Sequence, residues 1–90
     1  MFTSWGAETP RRYETGELQS MLEELDGSES YGQILRAKGI LQNTDGSWMQ
    51  FDFVPGEYEV RGGSADYTGR LCVIGSKLDE KAIAELFKVS

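Results

Sequence analysis

Between Gln33 and Val60 apolar and polar residues alternate with period two, the spacing of a strand with one buried face. In "ILRAKGIL" one face carries Leu35, Ala37, Gly39 and Leu41, and the other carries Ile34, Arg36, Lys38 and Ile40. The turn signal "NTDGS" follows, and then "WMQFDFV", in which Met49, Phe51 and Phe53 oppose Gln50 and Asp52. Together these predict a β-hairpin across Asn43–Ser47. The pattern breaks at Pro55-Gly56 and resumes with Tyr58 and Val60 on one face. A Gly/Ser-rich link leads to "RLCVIG", a short apolar strand, and a further short strand is predicted at Phe2–Trp5.

Two segments change period. Leu18, Met21, Leu22 and Leu25 recur at helical spacing, which predicts a helix over 15–26 with Thr15 as N-cap and Gly27 as C-cap. "LDEKAIAELF" predicts a closing helix capped by Asp79. Leu78 and Ile83 are placed as a hydrophobic staple, and Ile83, Leu86 and Phe87 form the buried stripe. The fold class that accommodates these elements is α+β: two layers, a mostly antiparallel sheet of four to five strands, and two amphipathic helices on one face.

Ninety residues, 39% hydrophobic with ten aromatics, make a single domain spanning 1–90 with a thin core. The net charge of −6 is uneven. Residues 1–30 carry −5, residues 31–78 are balanced, and residues 79–90 carry −1. An acidic chain is a poor binder of nucleic acid, whose nonspecific affinity runs on neutralised phosphates. The strand aromatics Trp48, Phe51, Phe53 and Tyr58 are better read as core than as a base-stacking platform.

Histidine is absent and cysteine occurs once, which removes the commonest metal ligand and any internal disulfide. Cys72, between Leu71 and Val73, reads as a small core residue without an activating base. No glycine pattern cradles a phosphate, so no nucleotide site, cofactor site or catalytic set is expected. The N-terminus lacks a leader pattern and no apolar run is long enough to span a bilayer, which points to a cytoplasmic, reducing setting without membrane contact.

What remains is a cation pair, Arg36 and Lys38, held two residues apart on one side of a strand. A Trp48 projecting opposite to Met49 would join it on the outer face, with Gly39 allowing a close approach. Three uses are open: docking to an acidic partner surface, binding of a small anion or nucleotide phosphate, or cross-strand pairing with Asp52, Glu57 or Glu59.

The ordered set "FTSW" plus helix, "ILRAKGIL", "WMQFDFVPG", "GRLCVIGSKLDE" and a closing amphipathic helix resembles the C-terminal domain of CobW-like proteins. These are P-loop GTPases linked to cobalamin biosynthesis and to metal insertion or trafficking. The resemblance covers nearly all of the chain. It implies a non-catalytic accessory domain whose partner is the GTPase domain of its parent or a related protein, or a metalloprotein or cobalamin-pathway client. GTP and a divalent metal are implied only for the GTPase domain, which this sequence does not include. Carried over by position, the signature residues are Arg36, Lys38 and Gly39, with Arg70 and Gly75 at the second junction.

Overall fold

Eight elements appear in the computed structural model, which describes residues 1–89. In chain order they are β1 (Thr3–Thr9), β2 (Arg12–Tyr13), α1 (Thr15–Gly27), β3 (Gln33–Asn43), β4 (Trp48–Val54), β5 (Glu57–Gly62), β6 (Gly69–Ser76) and α2 (Glu80–Leu86). The sheet runs β1-β6-β3-β4-β5 with every neighbouring pair antiparallel. The sixth strand, β2, pairs in parallel with the last two residues of β3, Gln42 and Asn43. This two-residue strand lies beyond the expected four to five, being too short to carry a periodic signal. The α+β class and the one-sided helices are as the patterning predicts: the buried faces of α1 and α2 join the inward strand residues in one core cluster.

The hairpin forms as read, with Gly46 at φ 91° and Asn43 N–H donating to the Ser47 carbonyl at 2.7 Å. In β4, Met49, Phe51 and Phe53 are all buried and Gln50 and Asp52 face the other way. Asp79 caps α2 by accepting the Ala82 N–H at 3.0 Å.

The end positions of α1 are corrected. Its N-cap is Glu14, which makes no side-chain cap bond, so Thr15 is the first helical residue. The Thr15 hydroxyl instead accepts from Asn43 Nδ2 at 3.0 Å, which ties the helix start to the hairpin. Gly27 is the last helical residue, and the C-cap is Ser28 in extended conformation. Cys72 is also reassigned. It alternates with fully buried Val73 and nearly buried Leu71, and so lies half-buried on the open face.

The strand β3 departs from strict alternation. The register passes from Ile34↔Gly75 to Arg36↔Ile74, leaving Leu35 as an unpaired bulge residue. Ile34 is therefore 7% exposed and Leu35 49% exposed, the reverse of the simple period-two expectation. Beyond the bulge, Ala37, Gly39 and Leu41 face the core while Arg36, Lys38 and Ile40 face away. A single extra residue inverts one end of the strand and preserves the other.

The core is organised over Gly39. A Cβ there would lie 2.7 Å from the Arg70 carbonyl oxygen and 2.7 Å from Phe51 Cε2. The close approach that this glycine permits is thus internal: the Phe51 ring fills the missing side chain's place. Phe51 in turn stacks on Phe87 with centroids 6.1 Å apart. The Phe87 carbonyl accepts the hydroxyl of fully buried Tyr13 at 2.6 Å. Arg11 lies 4.4 Å over the Tyr13 ring and reaches Glu17 at 3.0 Å, and Lys88 meets the same carboxylate at 2.9 Å. The start of α1 and the end of α2 are held together through Tyr13 and Glu17.

Two outcomes follow from this packing. Gly39→Ala forces a methyl group against a strand carbonyl that cannot turn away, so a loss of about 2–3 kcal/mol in urea-unfolding free energy is expected. The hydrogen bond from Arg11, and then that from Lys88, lower the Glu17 carboxyl from 4.5 to about 2. Because the folded value lies below the unfolded one, this contribution is full above about pH 4.5 and vanishes as pH falls toward about 2. With a partly solvated carboxylate it is on the order of 1 kcal/mol at neutral pH. Urea unfolding of Glu17→Gln should therefore differ from the parent by that amount at pH 7 and converge with it near pH 2.

Candidate interaction surface

Both helices lie on one side of the sheet, so its other face is open. The registers assemble that face in rows. Glu8, Arg70 and Ile40 lie side by side on β1, β6 and β3, and Gly6, Cys72, Lys38, Asp52 and Glu59 form the next row on β1 through β5. Ser4, Ile74 and Arg36 follow in the third. Ile40, Cys72 and Ile74 are half-buried aliphatic or sulfur positions among charged neighbours.

The charges differ in how they are engaged. Arg36 reaches Asp52 at 3.3 Å, and Arg61 reaches the other oxygen of the same carboxylate at 2.7 Å. Arg61 also meets Glu59 at 2.8 Å. Arg61 first, and then Arg36, hold the Asp52 carboxyl below its ordinary value. The expected cross-strand pairing of Arg36 is thus present, with Asp52 as partner. Arg61, which shares the phase of Glu57 and Glu59 along β5, is a member that the sequence reading passed over, although the alternation exposed it.

Lys38 is different. It is exposed, stands directly opposite Asp52 and Cys72 in the register, and makes no ion pair or side-chain hydrogen bond among the described residues. Among the described residues Arg70 has one ion pair, with Asp66 four residues back in the Gly/Ser-rich link at 3.2 Å, and its guanidinium lies 5.8 Å from the Tyr67 ring. Lys38, Ile40, Gln50, Arg70 and Cys72 surround a shallow depression of about 270 Å³.

Of the five residues picked from sequence, Arg36, Lys38 and Arg70 share the centre of the open face. Trp48 is on the same face but at the far end. It pairs with Gln42, six residues along β3 from Arg36, which is roughly 20 Å. Its diagonal neighbour is Arg61 on β5. Gly39 lies in the same strand but points into the core, where it makes room for Phe51.

A family model described as the cobalamin synthesis protein cobW C-terminal domain matches residues 2–89, and the chain belongs to that family. Two solved structures are similar. The Zn(II)-bound YjiA GTPase from E. coli has a TM-score of 0.76 at 26% identity. A Zn(II)-bound triple mutant of YjiA GTPase has a TM-score of 0.81 at 24% identity, a likeness of fold alone. Each match covers 97% of this chain and 29% of the GTPase chain, so the domain spans less than a third of those proteins. No curated protein matches the chain.

The Asp52 network is exposed and is expected to contribute modestly. Asp52→Asn should lower stability by about 0.5–1 kcal/mol at low ionic strength. The difference should fade in ~1 M salt, where charges are screened within about 3 Å. Thermal unfolding of the two proteins at both salt levels checks it.

Proposed function

We propose that this CobW C-terminal domain is the non-catalytic accessory module of a CobW-type GTPase, and that the open face of its sheet docks onto the GTPase module or a client protein. The observation that carries this reading is the asymmetry of the domain. One sheet face is sealed by helices, while the other presents Lys38, beside Ile40 and Cys72, with no ion pair among the described residues. Arg36 and Arg70 flank that centre and Trp48 lies at its margin. Arginine and tryptophan are the side chains that most often anchor interfaces.

The Zn(II) bound by YjiA and the cobalamin synthesis of the family description extend the reading to metal insertion or trafficking, with a metalloprotein or cobalamin-pathway protein as client. The donor set of this chain does not fit a metal of its own. Histidine is absent, Cys72 is the one thiol, and the described residues contain no group of three or more candidate ligands. GTP and metal therefore fall to the GTPase module in this proposal. A cytoplasmic setting accompanies it, and no described helix is long and apolar enough to cross a membrane.

A second reading, a small anion or nucleotide phosphate held by Arg36 and Lys38, draws on the depression beside Lys38. It is weakened by the commitment of Arg36 to Asp52. Inorganic phosphate or GTP added alone would then give saturable shifts along β3.

The test of the main reading is an amide-shift titration of the labelled domain with the CobW-family GTPase module from the same source. The module is loaded in turn with GDP and a GTP analogue. Shifts gathered on Ile34–Ile40 and Trp48, different in the two nucleotide states, are the expected result. Absence of shifts in both states removes the GTPase module as partner and leaves a client protein.

A further inference from the structure

Resting on the docking reading, we infer that the open face recognises a carboxylate of the GTPase module set between Lys38 and Arg70, and that Asp66 holds that place in the free domain. Arg36 and Arg61 share Asp52, and Arg61 has Glu59 as well, so that side of the face is neutralised from within the sheet. Lys38 and Arg70 stand on the other side, around the depression they share with Ile40 and Cys72. Asp52 stands opposite Lys38 and Glu8 opposite Arg70 in the register, but both Asp52 oxygens are taken by Arg36 and Arg61. Among the described residues Lys38 makes no ion pair, and Arg70 pairs with Asp66 from outside the sheet.

Asp66 belongs to the link between β5 and β6, an irregular segment that starts at Gly63. Its pairing with Arg70 is a single contact at 3.2 Å, with the Arg70 side chain 46% exposed. Such a surface pair contributes little and is readily exchanged for a better one. Asp66 also accepts the Tyr67 N–H at 2.8 Å, so the carboxylate keeps a partner when Arg70 leaves it. An incoming carboxylate that bridges Arg70 and Lys38 gains two cations where Asp66 has one. It would be flanked by Ile40 and Cys72, whose half-buried side chains line the depression, with Ile74 next along β6 on the same face. These supply the apolar surround that excludes water around a central charged contact. Gly6, beside Cys72 in the register, adds no bulk to that row and leaves the approach open.

The partner chemistry is therefore an acidic side chain on an apolar surface. Charge selects it: a basic surface meets Lys38 and Arg70 with repulsion, and a purely apolar one desolvates Lys38 without giving it an ion pair. The competing loop carboxylate gives the surface a built-in threshold. Docking must displace Asp66, so weakening the Asp66–Arg70 contact strengthens docking even though Asp66 touches no partner.

The molecule offers well-placed reporters. Of its four isoleucines, Ile40 and Ile74 lie on the open face, and Ile34 and Ile83 are buried in the core. The experiment titrates the isoleucine-methyl-labelled domain with the CobW-family GTPase module of the same source, in both nucleotide states. Three variants accompany it: Lys38→Glu, Lys38→Arg and Asp66→Asn. Direct shifts at Ile40 and Ile74 are expected. Affinity should fall tenfold or more in Lys38→Glu, remain within about threefold in Lys38→Arg, and rise severalfold in Asp66→Asn, with the gain shrinking as salt is raised. Unchanged core methyl spectra in the free variants show that each is folded. Binding that shifts neither Ile40 nor Ile74, or is indifferent to Lys38→Glu, overturns the carboxylate site while leaving docking to the GTPase module intact. Binding that weakens or stays equal in Asp66→Asn overturns the competing role of the loop. No binding in either nucleotide state overturns the site together with the GTPase module as the docking partner.

Discussion

A side chain cannot be accommodated at Gly39, and much of the domain is arranged around that restriction. The Arg70 carbonyl oxygen and the Phe51 ring each stand 2.7 Å from where a Cβ would be. The aromatic ring of β4 therefore lies against the central strand, and Phe87 at the end of α2 stacks on it. Phe87 is then within reach of Tyr13, and Tyr13 brings Arg11 and Glu17 with it. One absent methyl group connects sheet, closing helix and first helix through contacts that would all have to shift if it were restored. A thin core of this size has few spare contacts to absorb such a shift.

The same arrangement sets the rigidity of the opposite face. With Phe51 covering β3 from the core side, the inward residues of that strand can be as small as Ala37 and Gly39 without leaving a void. The outward residues Arg36, Lys38 and Ile40 are then displayed from a backbone that is hydrogen-bonded on both sides and packed from beneath. Preorganised display is what lets a few side chains act as anchors with little loss of conformational freedom on association.

Much of this was legible in the sequence where a pattern had several repeats. Met49, Phe51 and Phe53 declared their face, as did Leu18, Met21, Leu22 and Leu25, and these seven give the sheet layer and the helix layer. Leu35 was illegible because a bulge depends on what the neighbouring strand opposes to it, and here the register passes from Ile34↔Gly75 to Arg36↔Ile74. Cys72 was misjudged because an apolar run hides the alternation that reveals which side chain faces out. The cation pair at Arg36 and Lys38 was visible from spacing. The difference between them, one on Asp52 and one free among the described residues, required the register. Trp48 shows the same limit, since sharing a face in sequence says nothing of how far apart two residues lie along it.

Charge distribution explains how an overall acidic domain presents a cationic site. Glu23, Glu24 and Asp26 are exposed on α1, which has no basic residue in its last turn. A helix is about 10–12 Å across, so these acids stand at least that far from the open side of the sheet. The screening length at physiological ionic strength is about 8 Å. The acidity of the helical layer is therefore largely spent before it reaches Lys38, and the local field there is set by Arg36, Arg61 and Arg70 together with Glu8, Asp52, Glu57, Glu59 and Asp66. On the sheet face these cations and acids, Lys38 included, are close to balance. An acidic partner is therefore repelled more by the exposed acids of α1 than by the sheet, which biases its encounter before any contact forms.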